Sequence, residues 1–167
     1  VDTGKIGDIV AMNAHFYYDG SRSSRDWLFD AEIAGGGPIA DLGVRLINTM
    51  RFISGKEEKK IQVIKKKTMQ GSVESKAQIL LEFENNITAG VGVGFEGNYY
   101  TSLEVIGTEC AVKAPFFNRI NREIPVDVYR NLDILTHTVR NGNCYVKEID
   151  AFADAIINDK EVPISAK

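Results

Sequence analysis

Asp41, Arg45 and Asn48 stand at i, i+4 and i+7 in the stretch GGGPIADLGVRLINTMRFISG, residues 35–55. On a helix that spacing lines them along one side. A carboxylate beside a guanidinium holds a hydroxylated or anionic ligand, and each partner tunes the protonation of the other. The plainer reading is an exposed i,i+4 ion pair worth ~0.3–0.5 kcal/mol, and for an arbitrary helix it has the higher prior. Three features favour chemistry here. Gly35-Gly36-Gly37 lets the start of the helix lie close to a ligand. The preceding loop carries Arg25 and Trp27, the only tryptophan. Trp27 either anchors that loop or covers a ligand, and the pattern does not choose. Before the loop runs an apolar strand that sets the helix on a sheet.

Other chemistries find little to build on. The glycine run is not G-x-G-x-x-G after a strand, and the chain has no G-x-S-x-G and no H-E-x-x-H. Cys110 and Cys144 have no metal-like spacing, and His15 and His137 are far apart, so no metal site is expected. The cysteines read as reduced, buried or half-buried residues of a cytoplasmic protein. The net charge is −3, and the basic runs Lys59-Lys60 and Lys65-Lys66-Lys67 stand near Glu57-Glu58. Neither a nucleic-acid nor a membrane partner is expected; the lysines suit a solvated edge strand. There is no bilayer-length apolar run and no signal peptide. The start at Val1 is read as a cut from a longer protein.

The supporting elements follow from periodicity. Residues 6–18 predict a long strand. Val10, Met12, Ala14, Phe16 and Tyr18 form its apolar face, and Ile9, Ala11, Asn13, His15 and Tyr17 the other. His15 is read as a packing residue. Residues 19–34 predict a loop. A helix from Gly35 to Gly55 buries Ile39, Leu42, Leu46, Met50 and Ile53, with Pro38 in its first turn and Gly55 as its stop. Alternating runs follow from residue 59 to about 115. Hairpins are expected at Asn85-Asn86 and at Gly107-Thr108-Glu109. Ile87, Ala89, Val91, Val93 and Phe95 make one apolar face. Gly90, Gly92 and Gly94 leave a bare strip opposite, suited to close approach of another chain or element. Residues 116–126 predict an edge strand limited by Pro125. A last helix, about 145–158, is expected to bury Val146, Ile149, Phe152, Ala153, Ile156 and Ile157, and Pro163 an extended exit. With 44% hydrophobic and 26% charged residues over 167 positions, the chain reads as one α+β domain. Its sheet should be open, mixed and mostly antiparallel, with helices packed on one face.

The segment WLFDAEIAGGGPIADLGVRLINTMRFISG resembles the start of the C-terminal domain of the Gfo/Idh/MocA oxidoreductases. GKIGDIVAMNAHF, LEVIGTECAV and YVKEIDAFADAI resemble its first strand, its strand–turn–strand and its returning helix. The resemblance implies an NAD- or NADP-dependent enzyme acting by hydride transfer on a sugar, polyol or related small molecule. It implies an N-terminal Rossmann domain, outside these residues, that holds the cofactor and supplies a lysine as main proton donor or acceptor. This chain would be the substrate and oligomerisation half, a homo-oligomer through its sheet face. By that resemblance Asp41 and Arg45 are catalytic; Asn48, Arg25 and Tyr17 bind substrate; Trp27, Gly36 and Gly37 face the cofactor. Arg45 stands where the family has His or Tyr, and arginine stays protonated, which suits an oxyanion better than proton transfer. Two alternatives stay open: a member without catalysis serving in binding or assembly, and an NAD-dependent glycosidase.

Overall fold

The computed structural model describes residues 5–162; the exit expected at Pro163 lies outside them. The fold is α+β, one open mixed sheet of eight strands in the order β2-β3-β4-β1-β5-β6-β7-β8. The strands are β1 (Ile9–Tyr17), β2 (Glu58–Lys66), β3 (Lys76–Phe83), β4 (Thr88–Gly94), β5 (Tyr100–Gly107), β6 (Ala111–Pro115), β7 (Glu123–Arg130) and β8 (Asp133–Arg140). The helices are α1 (Ala31–Ala34), α2 (Val44–Ser54) and α3 (Cys144–Ile157). β1 runs parallel to β4 and antiparallel to β5; the other pairs are antiparallel.

One face of the sheet carries the core. Met12 and Ala14, Ile79 and Leu81, and Val91 and Val93 project from it, all buried. Leu42, Leu46 and Met50 meet them from the helix, each at most 2% exposed. Burying three such side chains contributes ~1.5–3 kcal/mol apiece before the entropy of ordering them. Ile39 and Ile53 pack at the two ends of this stripe, partly buried. Gly55 closes α2 in the left-handed region (φ 62°), as its position in the sequence suggests.

The expected single helix from Gly35 is divided. Gly35 (φ 73°) already ends the short α1. The chain restarts after Pro38 as a π-turn over Ile39–Gly43 and only then becomes α2. The loop expected over 19–34 contains two 3-10 turns, Gly20–Arg22 and Asp26–Phe29, besides α1. Leu28 (2% exposed), rather than Trp27 (47% exposed), is its buried anchor.

Further corrections have simple physical causes. Val10 is 50% exposed, because the register of β1 against β5 shifts between Ile9 and Ala11 and Ile9 takes the core side. The glycine strip is not bare. Tyr17 and His15 lie over Gly92, Tyr17 over Gly94 and Asn13 Oδ1 beside Gly90. A Cβ at any of the three would sit within 2.9 Å of these atoms. Thus the element that approaches closely is β1 of the same chain. The strand expected to end near Pro125 runs on as β7 and is not an edge, because β8 pairs outside it. β6 pairs only with Asp127–Tyr129, so at Pro125 β7 has one neighbour, and a residue lacking N–H is tolerated. The apolar stripe of α3 is exposed at Val146, Ile149, Phe152, Ile156 and Ile157, with Ala155 buried. Cys144 is exposed; Cys110 is buried. β2 is an edge strand, as its lysines suggest.

Glu96 ties the end of β4 to the β2–β3 loop. Its carboxylate accepts from Ser75 Oγ at 2.8 Å, from Lys76 Nζ at 2.8 Å and from Thr68 Oγ1. These bonds, led by that from Lys76, lower its pKa to about 2 from 4.5. A depressed carboxylate stabilises the fold fully above its unfolded value, and the contribution is lost as pH falls from about 4.5 towards 2. Urea denaturation of Glu96→Gln should therefore show a flatter loss of stability across that acid window than the wild type.

Candidate functional site

The π-turn carries Asp41 to the end of β1. Tyr18 follows the last residue of that strand, and its backbone N–H donates to Gly94 O at 3.1 Å. It points to the helix side of the sheet. Its ring packs against Phe95 at 5.3 Å and edge-on against Phe16 at 6.4 Å between centroids. The Tyr18 phenol donates to Asp41 Oδ2 at 3.5 Å, and Arg45 Nη2 donates to Asp41 Oδ1 at 3.5 Å. One carboxylate is thus divided between a phenol and a guanidinium, through two long bonds. Hydrogen bonds of this kind commonly tighten only when a ligand is present.

Burial, first, and then the Asp41 charge hold the Tyr18 phenol above its ordinary pKa, while the positive charges of Arg25 and Arg45 act the other way. Asp41 and Arg45 differ in access: their side chains are 20% and 65% exposed. Arg45 leads from the carboxylate to an open groove of about 520 Å³, lined with Asn48, Arg51, Ile39, Ala40, Val44 and Ile47. Arg51 is engaged by Glu57 and lies 3.8 Å from Glu58. Among the described residues the Arg45 guanidinium has no partner but Asp41.

The structure therefore brings Asp41, Arg45 and Asn48 onto one side of the helix start, as their spacing suggests. Arg25 joins them through its field at Tyr18; its Nε donates to Ser23 Oγ at 3.3 Å. Tyr17 is not brought there. It lies on the opposite face of the sheet, where its hydroxyl accepts from Gln78 Nε2 at 2.8 Å. Strand alternation puts Tyr18, which the sequence reading leaves out of the site, beside Asp41 instead. Trp27 stands half-exposed on its 3-10 turn. Gly37 is buried, and a Cβ on it would overlap the backbone carbonyl of Glu74, so its bareness serves a contact within the chain. Gly36 lies beside it, partly exposed. Glu74 Oε1 accepts from the Ile39 N–H at 3.2 Å and so caps the start of the π-turn. His15 is half-buried on the far face, its Nδ1 3.2 Å from Ser102 Oγ. Among the described residues no three His, Cys, Asp or Glu side chains are placed to hold a metal ion together, and no helix is long and apolar enough to cross a membrane.

Residues 1–113 match the family model of the GFO/IDH/MocA C-terminal domain. The chain belongs to this family. No curated protein matches it significantly. Among solved structures it is similar to the aldose-aldose oxidoreductase from Caulobacter crescentus complexed with glycerol, at 16% identity and TM-score 0.87, over 98% of this chain and 50% of that one. It is similar to a 3-ketoreductase from Actinomadura kijaniata in complex with NADP and TDP-benzene, at 22% identity and TM-score 0.79, over 94% and 48%. It is also similar to a levoglucosan dehydrogenase in complex with NADH and L-sorbose, at 19% identity and TM-score 0.80, over 98% and 53%. The chain spans about half the length of each. At these identities the likeness shows the fold. The GFO/IDH/MocA assignment agrees with the resemblance carried by the GGGPIADLG block.

Within this domain, seating the π-turn depends on Gly37. Gly37→Ala forces either the turn or the Glu74 loop to move, and should destabilise the protein by ~1–3 kcal/mol, the usual range for overpacking. A shift of the denaturant midpoint at unchanged slope measures it.

Proposed function

We propose that this chain is the substrate-binding and assembly half of an NAD(P)-dependent oxidoreductase that acts on a sugar, polyol or related hydroxyl or carbonyl compound. The match of residues 1–113 to the family domain carries the reading. Relatives of the fold in complex with NADP, with NADH and L-sorbose, and with glycerol support its choice of cofactor and substrate class. The chain spans about half of those proteins, so the cofactor is held mainly by a domain outside it.

The residues present fit a nicotinamide cofactor at one edge. Trp27 is a large aromatic surface left 47% exposed on the loop that also bears Arg25. An indole of that kind covers a flat heterocycle, with Gly36 leaving the neighbouring backbone unobstructed. When bound, the nicotinamide accepts or gives the hydride. This chain's own residues hold the substrate. The Asp41 carboxylate accepts from a substrate hydroxyl, Arg45 donates to the substrate oxygen that gains negative charge, and Asn48 extends the donor row along the groove. Arg45 and Arg25 together favour a substrate with an anionic substituent, such as a sugar acid.

The outer face of the sheet, opposite the core, is the proposed surface of self-association. Ile64 and Leu80 are exposed on it at 69% and 59%, and Tyr17 and Tyr100 stand on the same face. Both parts of the reading have direct tests. NADH or NADPH titrated into the intact protein should bind, and Asp41→Ala should abolish turnover of the responsive member of a panel of polyols, sugar aldehydes and sugar acids. Turnover that survives Asp41→Ala, or binding of neither cofactor, counts against it. Sedimentation of the intact protein should show a dimer or larger, and Leu80→Glu should shift it towards monomer.

A further inference from the structure

The glycine turn before the π-turn borders a second recess besides the Arg45 groove. This open recess of about 440 Å³ is lined by Gly36, Lys65, Lys66, Lys67, Ser72 and Glu74. Its wall is pinned to the rest of the fold. The Ser72 N–H donates to Phe29 O at 2.8 Å, and Ser72 Oγ accepts from the Ala31 N–H at 2.7 Å. Gly71 (φ 125°) lies so close to Phe29 that a Cβ there would overlap it.

The charge in the recess is unbalanced. Lys60 pairs with Glu82 at 2.9 Å and Lys76 with Glu96 at 2.8 Å. Lys65, Lys66 and Lys67 have no acidic partner among the described residues. The carboxylate that lines the recess, Glu74, already accepts from the Ile39 N–H at 3.2 Å. Discouraging edge pairing explains lysines that point away from the core, but Lys65 does not. It stands opposite Ala77, which is 3% exposed on the core face, so it shares the side of the sheet that carries the glycine turn. Lys66, opposite Lys76, takes the other side. The Gly36 N–H makes no hydrogen bond among the described residues.

We infer that this recess binds the phosphate group of a small molecule, with Lys65 and Lys67 supplying charge and the Gly36 N–H a backbone donor. Lysine serves phosphate as a mobile point charge, and a donor with no side chain beside it lets an anion come close. The lysines are exposed, so added salt weakens the binding. A sugar phosphate and a nucleotide both bring this group. The inference stands apart from the oxidoreductase reading.

The test follows the intact protein, labelled with nitrogen-15 glycine, by NMR during titration with inorganic phosphate, a hexose phosphate, ADP and the parent hexose. The Gly36 signal, identified by its loss in Gly36→Ala, should shift saturably with inorganic phosphate and with at least one ester, and not with the hexose. The ester that saturates at the lower concentration distinguishes a sugar phosphate from a nucleotide as the ligand. Lys65→Gln combined with Lys67→Gln should weaken phosphate binding ~10-fold or more, the loss expected on removing charge-assisted hydrogen bonds. Lys66→Gln should change it little. Urea midpoints of these variants should match the wild type, because exposed lysines without partners add little to the fold. A Gly36 signal unmoved by any phosphate compound, or moved equally by the hexose, overturns the proposal. So does an equal loss in Lys66→Gln, which marks a diffuse basic run and not a site. Protein that binds phosphate here but neither NADH nor NADPH overturns the oxidoreductase reading and leaves this one standing.

Discussion

Leu42, Leu46 and Met50 give up nearly all their contact with water against β1, β3 and β4, and the placement of everything chemical in the molecule follows from that seating. Apolar burial is not directional, so it fixes the side of the helix that faces the sheet but not its position along it. Position comes from close approaches. Gly37 tucks under Glu74, and the Glu74 carboxylate caps Ile39. With those points held, Asp41 can only face the end of β1. The polar site is thus a by-product of how the helix starts, and the π-turn sits where the start must satisfy several contacts at once. Local departures of this kind are frequent at functional sites.

The Asp41–Arg45 pair is poorly explained as a stabilising ion pair. At 3.5 Å, with Arg45 65% exposed, it is worth little to the fold. The same geometry is useful for binding. An exposed guanidinium held by one long bond stays free to turn towards a ligand, and a carboxylate that is only 20% exposed gains electrostatic reach as water is excluded. Glu96 shows the contrasting design. Three short donors saturate one carboxylate and lock a loop, leaving nothing for a substrate.

How much the sequence reveals depends on whether an element's partner is encoded beside it. The alternation from Ile87 to Phe95 and the three-four rhythm of α2 are legible, because each describes a face that the same domain covers. The stripe on α3 is legible as a helix, yet its burial is not, since a pattern records the wish to be covered and not the covering surface. Gly90, Gly92 and Gly94 announce a close approach without naming Asn13, His15 and Tyr17 as the side chains that make it. β8 escapes because its alternation is weak: Ile134 and Leu135 are adjacent, and polar residues share both faces. The choice between Tyr17 and Tyr18 is a matter of one residue of strand parity. Parity is readable from Met12 and Ala14; which tyrosine stands beside Asp41 depends on where the π-turn carries that carboxylate.

The pairing of β1 with β4 has a consequence for how the molecule comes to be. β1 is the first strand in the chain, yet its two neighbours are β4 and β5, whose residues lie 77 and more positions further on in each matched pair, as Ala11 with Thr88 shows. No hairpin delivers it. The hairpins β2–β3–β4 and β5–β6 form from local contacts, whereas β1 must enter between them by closing a long loop, the slow kind of event in sheet proteins. During synthesis its two edges wait unpaired until residues 88–94 and 100–107 have followed, which leaves this strand exposed to misassembly.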